Sequence, residues 1–348
     1  MQAVIASNSS QSPKSHLLSE SGNCQSLVKV LVTGANGLVG RALCCELAKR
    51  GFLVKAAVRN PKTFVPLEGV TPVLAPDLSD PHASWPLDNV DVVIHAAARV
   101  HVMNPAPQEI ERFIAVNCDG TLRLARACSA AHVKRFVFLS TIKVNGEFTK
   151  PGRPFTADDP VDAPADPYAF SKFRAEQDLL TVNWQNGLEV TVVRVPLVYG
   201  PGAKGNLELL ERAVRKGLAL PIAALYSNRR SLVSLANLVD LLILCGIHPR
   251  AAGEVLLVSD GHDLSTLELA QQIAGACGVS LKTFPLPLWA LGLIARVLGK
   301  GEMMRRLTES LQVDIQKTCH LLGWSPPQSV DQGMEAAFGG EQNSGSSI

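Results

Sequence analysis

The sequence predicts an α/β fold: a doubly wound parallel sheet with a smaller C-terminal domain. Three observations predict it. Short β-branched apolar runs alternate with helical stretches from residue 28 onward. The first run passes into a turn with Gly34, Gly37 and Gly40 at three-residue spacing, and then into a helix. After Gly202 the pattern changes to shorter helices with proline-punctuated connections.

In chain order, Val28, Val30, Leu31 and Val32 suit a strand covered on both faces. Gly34 can turn the chain with positive φ, Gly37 lets backbone approach a pyrophosphate, and Gly40 lets the next helix, 38–50, pack closely on the strand. That helix aims its free N–H groups, at Leu38 and Val39, and its positive dipole end at phosphates. Three glycines alone are weak; with a strand before and a helix after, they specify a dinucleotide site of Rossmann type.

The second strand, 52–58, ends at Arg59. An acid at this strand end would bind ribose hydroxyls, whereas an arginine can pair with a 2′-phosphate. Arg59 therefore favours NADP(H), with NAD(H) as the alternative; a solvated loop arginine is the plainer reading. The third strand, 70–74, is followed by Asp77 and Leu78, placed to meet an adenine edge, although Asp77 equally suits a helix cap before Pro81. The fourth strand, 91–98, ends in Ala96, Ala97 and Ala98, small enough for cofactor backbone and ribose to come close. His95 reads as a packed strand residue, since no second His or Cys stands at metal spacing, and no metal is expected. A helix over 108–131 precedes the fifth strand, 135–141. Ligands in such sheets sit at strand carboxyl ends, where Thr33, Arg59, Asp77, Ala97 and Thr141 fall.

A Pro-, Gly- and Asp-rich stretch, 145–167, forms a loop over that site. A helix over 168–184 and an apolar sixth strand, 190–198, follow, and 254–258 forms one more strand returning to the sheet. The expected division is a tail over 1–27, a dinucleotide-binding domain over 28–200, a mainly substrate-binding domain over 201–338, and a flexible tail over 339–348. The apolar stretch 286–298 is too short to span a bilayer and reads as a buried helix, with surface association on a membrane as the lesser alternative.

Composition narrows the function classes. Of the 348 residues, 47% are hydrophobic and 18% charged, which describes a core-rich globular chain. A net charge of +2 gives no broad basic field, so nucleic acid is not the expected partner. The 8 cysteines show no CxxC pairing, and no signal peptide is evident, so a cytoplasmic location is expected.

Tyr168 and Lys172 are four apart at a helix start, so their side chains share a face. A nearby ammonium favours the phenolate, and such a tyrosine can move a proton at an alcohol oxygen while hydride moves at the adjoining carbon. Thr141, ending a strand, can hold the same oxygen. Tyr-x-x-x-Lys alone is common by chance; the glycine turn and the strand-end hydroxyl give it weight.

The chain resembles the extended short-chain dehydrogenase/reductases of the nucleotide-sugar epimerase/dehydratase group. The resemblance runs over 28–330 through TGANGLVG (33–40), Asp77-Leu78, HAAA (95–98), Asn117 with Gly120-Thr121, Ser140-Thr141, YAFSK (168–172), RVPLVYGPG (194–202) and LGWSPP (322–327). It implies Thr141, Tyr168 and Lys172 as catalytic residues. It also implies cofactor contacts from Gly34, Gly37, Leu38, Val39, Asp77, Leu78, Ala96, Ala97, Ala98, Asn117, Lys172 and Pro196. The implied substrate is a nucleotide-diphosphate sugar, its diphosphate gripped by Arg230; Lys143, Lys204 and Asn206 are further substrate-binding candidates. Ile142 and Lys143 stand where the dehydratase branch has an Asp-Glu pair, which argues against dehydration.

The stretches STIKVNGE and NRRSLVSLANLVD are similar to the subgroup associated with surface-polysaccharide loci. That points to NADPH-dependent reduction of a UDP-4-keto-6-deoxy-N-acetylhexosamine, with UDP-glucose or UDP-N-acetylhexosamine 4-epimerase as the alternative. A non-catalytic dinucleotide sensor is a distant third, because such proteins typically lack the Tyr/Lys pair kept here. The resemblance also implies a homodimer built on the helices at 108–131 and 168–184.

Overall fold

The computed structural model describes residues 27–100, 107–150, 152–182, 184–297, 299 and 301–340. The tails expected at 1–27 and 339–348 therefore lie almost wholly outside the described residues.

Six of the apolar runs form parallel strands: β1 (Lys29–Thr33), β2 (Leu53–Val58), β3 (Val70–Leu74), β4 (Val92–His95), β5 (Arg135–Thr141) and β6 (Glu189–Val195). With a later strand, β9 (Val255–Leu257), they make one seven-stranded sheet in the order β3-β2-β1-β4-β5-β6-β9. The order reverses at β1 and β4, the switch point where α/β sheets open a crevice for ligands. The strand expected near 254–258 does return to the sheet, beside β6.

Side chains alternate between faces, and the two faces bury different helices. Val30, Val32 and Val137 pack with Leu43 and Leu47 of α1 (Leu38–Lys49) and with Leu238 and Leu242 of α6 (Leu235–Ile247). Leu31, Phe136 and Phe138 pack on the other face with Leu124 of α3 (Thr121–Ala130) and Leu179 of α4 (Pro167–Thr181). A third cluster joins α5 (Asn206–Arg215), α7 (Thr266–Ala276) and α11 (Val330–Phe338) through Leu207, Ile273 and Met334.

Three expectations change. The sixth strand does not run through residue 198: β6 stops at Val195, and β7 (Leu197–Tyr199) pairs instead with β8 (Leu232–Ser234) in a separate two-stranded sheet. Pro196 stands at the break; it has no N–H to give to a ladder. The helix expected over 108–131 is interrupted, because Ile114–Gly120 winds as a π-helix between α2 (Pro107–Phe113) and α3. The widened turn brings Gly120 so close to Leu78 that a Cβ there would stand 2.5 Å from the Leu78 carbonyl oxygen. Finally, α8 (Leu288–Val297) is not a buried helix: Leu291 is enclosed, but Leu288, Trp289, Leu293 and Val297 face solvent.

Candidate active site

The glycine turn forms a cradle at the carboxyl end of β1. Gly34 has φ 68°, and a Cβ on it would stand 2.8 Å from the Ala97 amide nitrogen. A Cβ on Gly40 would collide with the Gly34 carbonyl, so the helix packs on the turn only because that position is glycine. The Gly37 N–H donates to the Gly34 oxygen at 2.8 Å, while Leu38 and Val39 open α1, where N–H groups lack intrahelical acceptors. Free donors, a positive helix end and backbone bare of side chains fit a dinucleotide pyrophosphate.

The neighbouring strand ends surround this cradle. Arg59, exposed, directly follows β2. Asp77 accepts hydrogen bonds from Ser79 N (2.8 Å) and Ser79 Oγ (2.7 Å). These bonds, with the charge of Arg59, hold its carboxyl below the usual range. Asp77 thus closes a turn on Ser79, and no helix follows it for the capping role that was expected. The Leu78 carbonyl accepts from Arg123 Nη2 at 2.6 Å.

Beneath Ala97 lies a buried polar chain that sequence reading missed. Thr121 Oγ1 donates to the Asn117 carbonyl at 2.7 Å, so it accepts from His95 Nε2 at 3.0 Å. His95 Nδ1 then accepts from Thr33 Oγ1 at 2.7 Å, and Thr33 Oγ1 accepts from the Ala97 N–H at 3.2 Å. This donor order requires the Nε2–H tautomer. Full burial, with the charge of Lys172 as a smaller cause, pushes the imidazole down to about 3 and keeps it neutral. Asn117 extends the chain, donating to Arg99 O and Ser171 Oγ at 3.0 Å each, and Ser171 Oγ donates to Tyr168 O at 2.7 Å. His95 is a packed strand residue as expected, and it also joins the glycine turn to the π-helix.

The candidate proton-handling residues stand on β5 and at the start of α4. Asp166 caps α4, accepting from Ala169 N at 2.8 Å, with Pro167 in the first helical position. Lys172, one turn on from Tyr168, donates from Nζ to Leu139 O at 2.7 Å and lies 4.3 Å above the Phe138 ring. Burial pushes Lys172 down to about 7, opposed by the charge of Glu176. Burial and, less so, the Asp166 carboxylate push Tyr168 up to about 12. In this structure burial and the Asp166 charge thus favour the neutral phenol.

Thr141 Oγ1 accepts from Lys143 N at 3.3 Å, and Lys143 Nζ sits 3.2 Å from Asp166 and 3.3 Å from Glu147. Below them, Glu176 is fully buried, paired with Arg194 at 2.7 Å and bonded by Ser140 Oγ, while Arg194 Nη1 donates to Asn145 Oδ1 at 3.0 Å. Neither charge was singled out in sequence; both straddle motifs that were, YAFSK and RVPLVYGPG.

Lys143 N bonds Thr141 and its Nζ pairs with Asp166 at the start of α4, where Tyr168 stands one turn before Lys172, and Lys172 reaches the Leu139 carbonyl of β5. Among the cofactor candidates, Leu38 and Val39 open α1, Asn117 lies in the π-helix and Pro196 follows β6. Lys204 and Asn206 flank Gly205 (φ 115°) in the exposed lead into α5. Arg230 Nη1 donates to Arg306 O (2.9 Å) and Glu309 O (3.2 Å). Burial and the charge of Arg306 push it below the usual arginine range. No described hydrogen bond or ion pair joins Lys204, Asn206 or Arg230 to the Tyr168 junction.

Residues 30–258 match the NAD dependent epimerase/dehydratase family. This chain belongs to that family. A UDP-glucose 4-epimerase of Vibrio cholerae is 42% identical over 312 residues, which cover 88% of this chain and 93% of that protein. Among solved structures, UDP-glucose 4-epimerase with UDP-glucose from the hyperthermophilic eubacterium Thermotoga maritima shares the fold with TM-score 0.70 at 21% identity, covering 89% of this chain and 97% of that one. UDP-glucuronic acid 4-epimerase from Bacillus cereus in complex with NAD shares it with TM-score 0.69 at 20% identity and the same coverage. The family member described here is an NAD(P)-dependent enzyme of sugar nucleotides, a reductase or an epimerase. No helix among its described residues is long and apolar enough to cross a membrane.

Proposed function

We propose that this protein reduces the 4-keto group of a UDP-linked 4-keto-6-deoxy-N-acetylhexosamine with NADPH, for surface-polysaccharide synthesis in the cytoplasm. Arg59 carries the reading: a guanidinium stands past β2, where an acid would serve ribose hydroxyls, and it suits a 2′-phosphate. The glycine cradle, Leu38, Val39, Asp77, Leu78, Ala96 to Ala98, Asn117 and Pro196 would hold the dinucleotide. When bound, it supplies hydride to C4.

The chain's own residues then handle the proton. Tyr168, in its acid form, protonates O4 as that oxygen gains charge. Thr141 donates a hydrogen bond to the same atom. Lys172 regains its proton readily beside the phenolate, since a near anion favours the ammonium, and so lowers the cost of that transfer. Arg230, with Lys204, Asn206 and Lys143, would hold the nucleotide-sugar from the 201–338 portion, while 28–200 holds the dinucleotide. The reading includes a homodimer formed through α3 and α4.

A second reading is 4-epimerisation of a UDP-hexose, favoured by the name of the 42% identical Vibrio cholerae relative. Incubating purified protein with UDP-glucose or UDP-N-acetylglucosamine and no added nicotinamide separates them. Consumption of NADPH only when a UDP-4-keto sugar is present is the expected result; efficient sugar interconversion without nicotinamide sinks the reductase. Arg59→Asp should move preference toward NADH by roughly tenfold, the worth of one charge-assisted contact, and an unaltered ratio of affinities removes the argument from Arg59.

A further inference from the structure

The C-terminal half carries an apolar surface that no described residue covers. On α8, Trp289, Leu293 and Val297 recur at four-residue spacing and are 74%, 57% and 79% exposed, with Leu288 beside them at 53%. The opposite side of the helix supplies Leu291 to a cluster with Ile222, Leu225 and Ala270, so α8 is anchored by one face and bare on the other. The cluster beneath α8 also takes Leu220 and Leu281 from a neighbouring pair of segments. Leu220 N donates to Lys282 O and Phe284 N to Leu220 O, pairing the two segments in parallel with exposed Leu218 toward one end and exposed Phe284 toward the other. Solvent-facing apolar groups this close together exceed the scattered single residues usual on a monomer surface.

The two sequence segments that carry this surface are cationic, although Arg229 meets Glu268 at 3.6 Å. Between Glu268 and Glu302 the chain has no acidic residue, and it carries Lys282, Arg296 and Lys300. Between Glu211 and Asp240 it again has none, and it carries Lys216, Arg229 and Arg230 among others. Lys282 Nζ reaches within 3.7 Å of where a Cβ on Gly217 would stand, which sets it next to Lys216 and Leu218. Arg296 is exposed on the same side of α8 as Trp289. A second copy of this chain fits poorly, because a two-fold contact would bring these cations against their own copies with no acid from either segment to meet them.

We infer that α8 and the Leu218–Phe284 edge form a peripheral docking face for an anionic lipid bilayer. Trp289, Leu293 and Val297 lie at the headgroup boundary, and Lys216, Lys282 and Arg296 meet lipid phosphates. A tryptophan suits that boundary, being apolar in body with one polar N–H. Cations on flexible stems reach the charged headgroups while their methylenes cover apolar surface. Docking of this kind is reversible and weakens with salt.

The test is co-flotation of the purified full chain with vesicles of phosphatidylcholine plus phosphatidylglycerol, against phosphatidylcholine alone, with turnover measured in parallel. The expected result is binding to the anionic vesicles, a blue shift of tryptophan emission, and release by high salt. Trp289→Glu with Val297→Glu should cut binding by about tenfold or more, and Lys216→Glu with Lys282→Glu should abolish the preference for phosphatidylglycerol, both with turnover in solution unchanged. Wild-type protein that stays off both vesicles overturns the inference, as does equal binding by the Trp289/Val297 variant. Self-association of the wild type, lost in that variant and unaccompanied by vesicle binding, would mean that a second copy covers this face and likewise overturns it.

Discussion

His95, Thr121, Ser171 and Glu176 are polar and enclosed, whereas Trp289, Leu293 and Val297 are apolar and stand in water. Both regions go against simple partitioning, and the way each is compensated differs. In the first, each named side chain has a hydrogen-bond partner inside the chain: Thr33 and Thr121 for His95, Asn117 for Ser171, Arg194 and Ser140 for Glu176. A buried polar group so satisfied costs little and fixes geometry. In the second, no described residue covers the side chains. The buried polar groups near the candidate site are thus satisfied within the described chain, and the α8 face is the one proposed to meet a bilayer.

The largest way to break the comparison is to remove one member of the buried ion pair. Glu176→Gln leaves the Arg194 guanidinium enclosed without its counter-charge and should cost about 3–5 kcal/mol by denaturant unfolding. Replacing both, with Glu176→Leu and Arg194→Met, should restore most of that loss; a double variant as unstable as the single would show that packing, not pairing, holds this corner. Tyr168→Phe should lower turnover by roughly 10²- to 10⁴-fold, the usual worth of a positioned acid. Unfolding should be nearly unchanged, and turnover equal to wild type would remove Tyr168 from catalysis.

His95 predicts a pH effect with a definite sign. Its folded value of about 3 lies below its ordinary 6.5, so between these limits the unfolded chain binds the extra proton. The stability from holding it neutral is whole above pH 6.5 and is lost as pH falls toward 3. Lys172 behaves alike, losing stability as pH falls from 10.5 to about 7 and flat below. His95→Phe should flatten the acid limb of an unfolding-versus-pH series, at a constant cost of about 1–3 kcal/mol for the stranded threonines; an undiminished limb would place the titration elsewhere. The smallest effect belongs to the other region. Trp289→Ser should shift stability by no more than about 0.5 kcal/mol, and a larger loss would mean that the stripe supports the fold.

The sheet was legible because its signals are local: β-branched runs for β1 to β6, glycines where Gly34 needs positive φ, and YAFSK opening a capped helix. The candidate site was legible at its strand ends for the same reason. The His95 chain was not, because Thr33 and Thr121 stand 62 and 26 residues from it and nothing in composition pairs them. The π-helix at Ile114–Gly120 left no signal in the apolar spacing. Pro196 was readable as a breaker, but the apolar run on either side of it concealed the break. The exposure of α8 ran against composition itself, since an apolar helix is expected inside.

The break at Pro196 has a mechanical consequence. One extended residue spans at most about 3.6 Å, so the end of β6 and the start of β7 share a joint with almost no slack. One strand lies in the main sheet and the other in the small sheet with β8. Val233 of β8 lies in the same core cluster as Val193 and Val195 of β6, so the small sheet is seated on the main one at this joint.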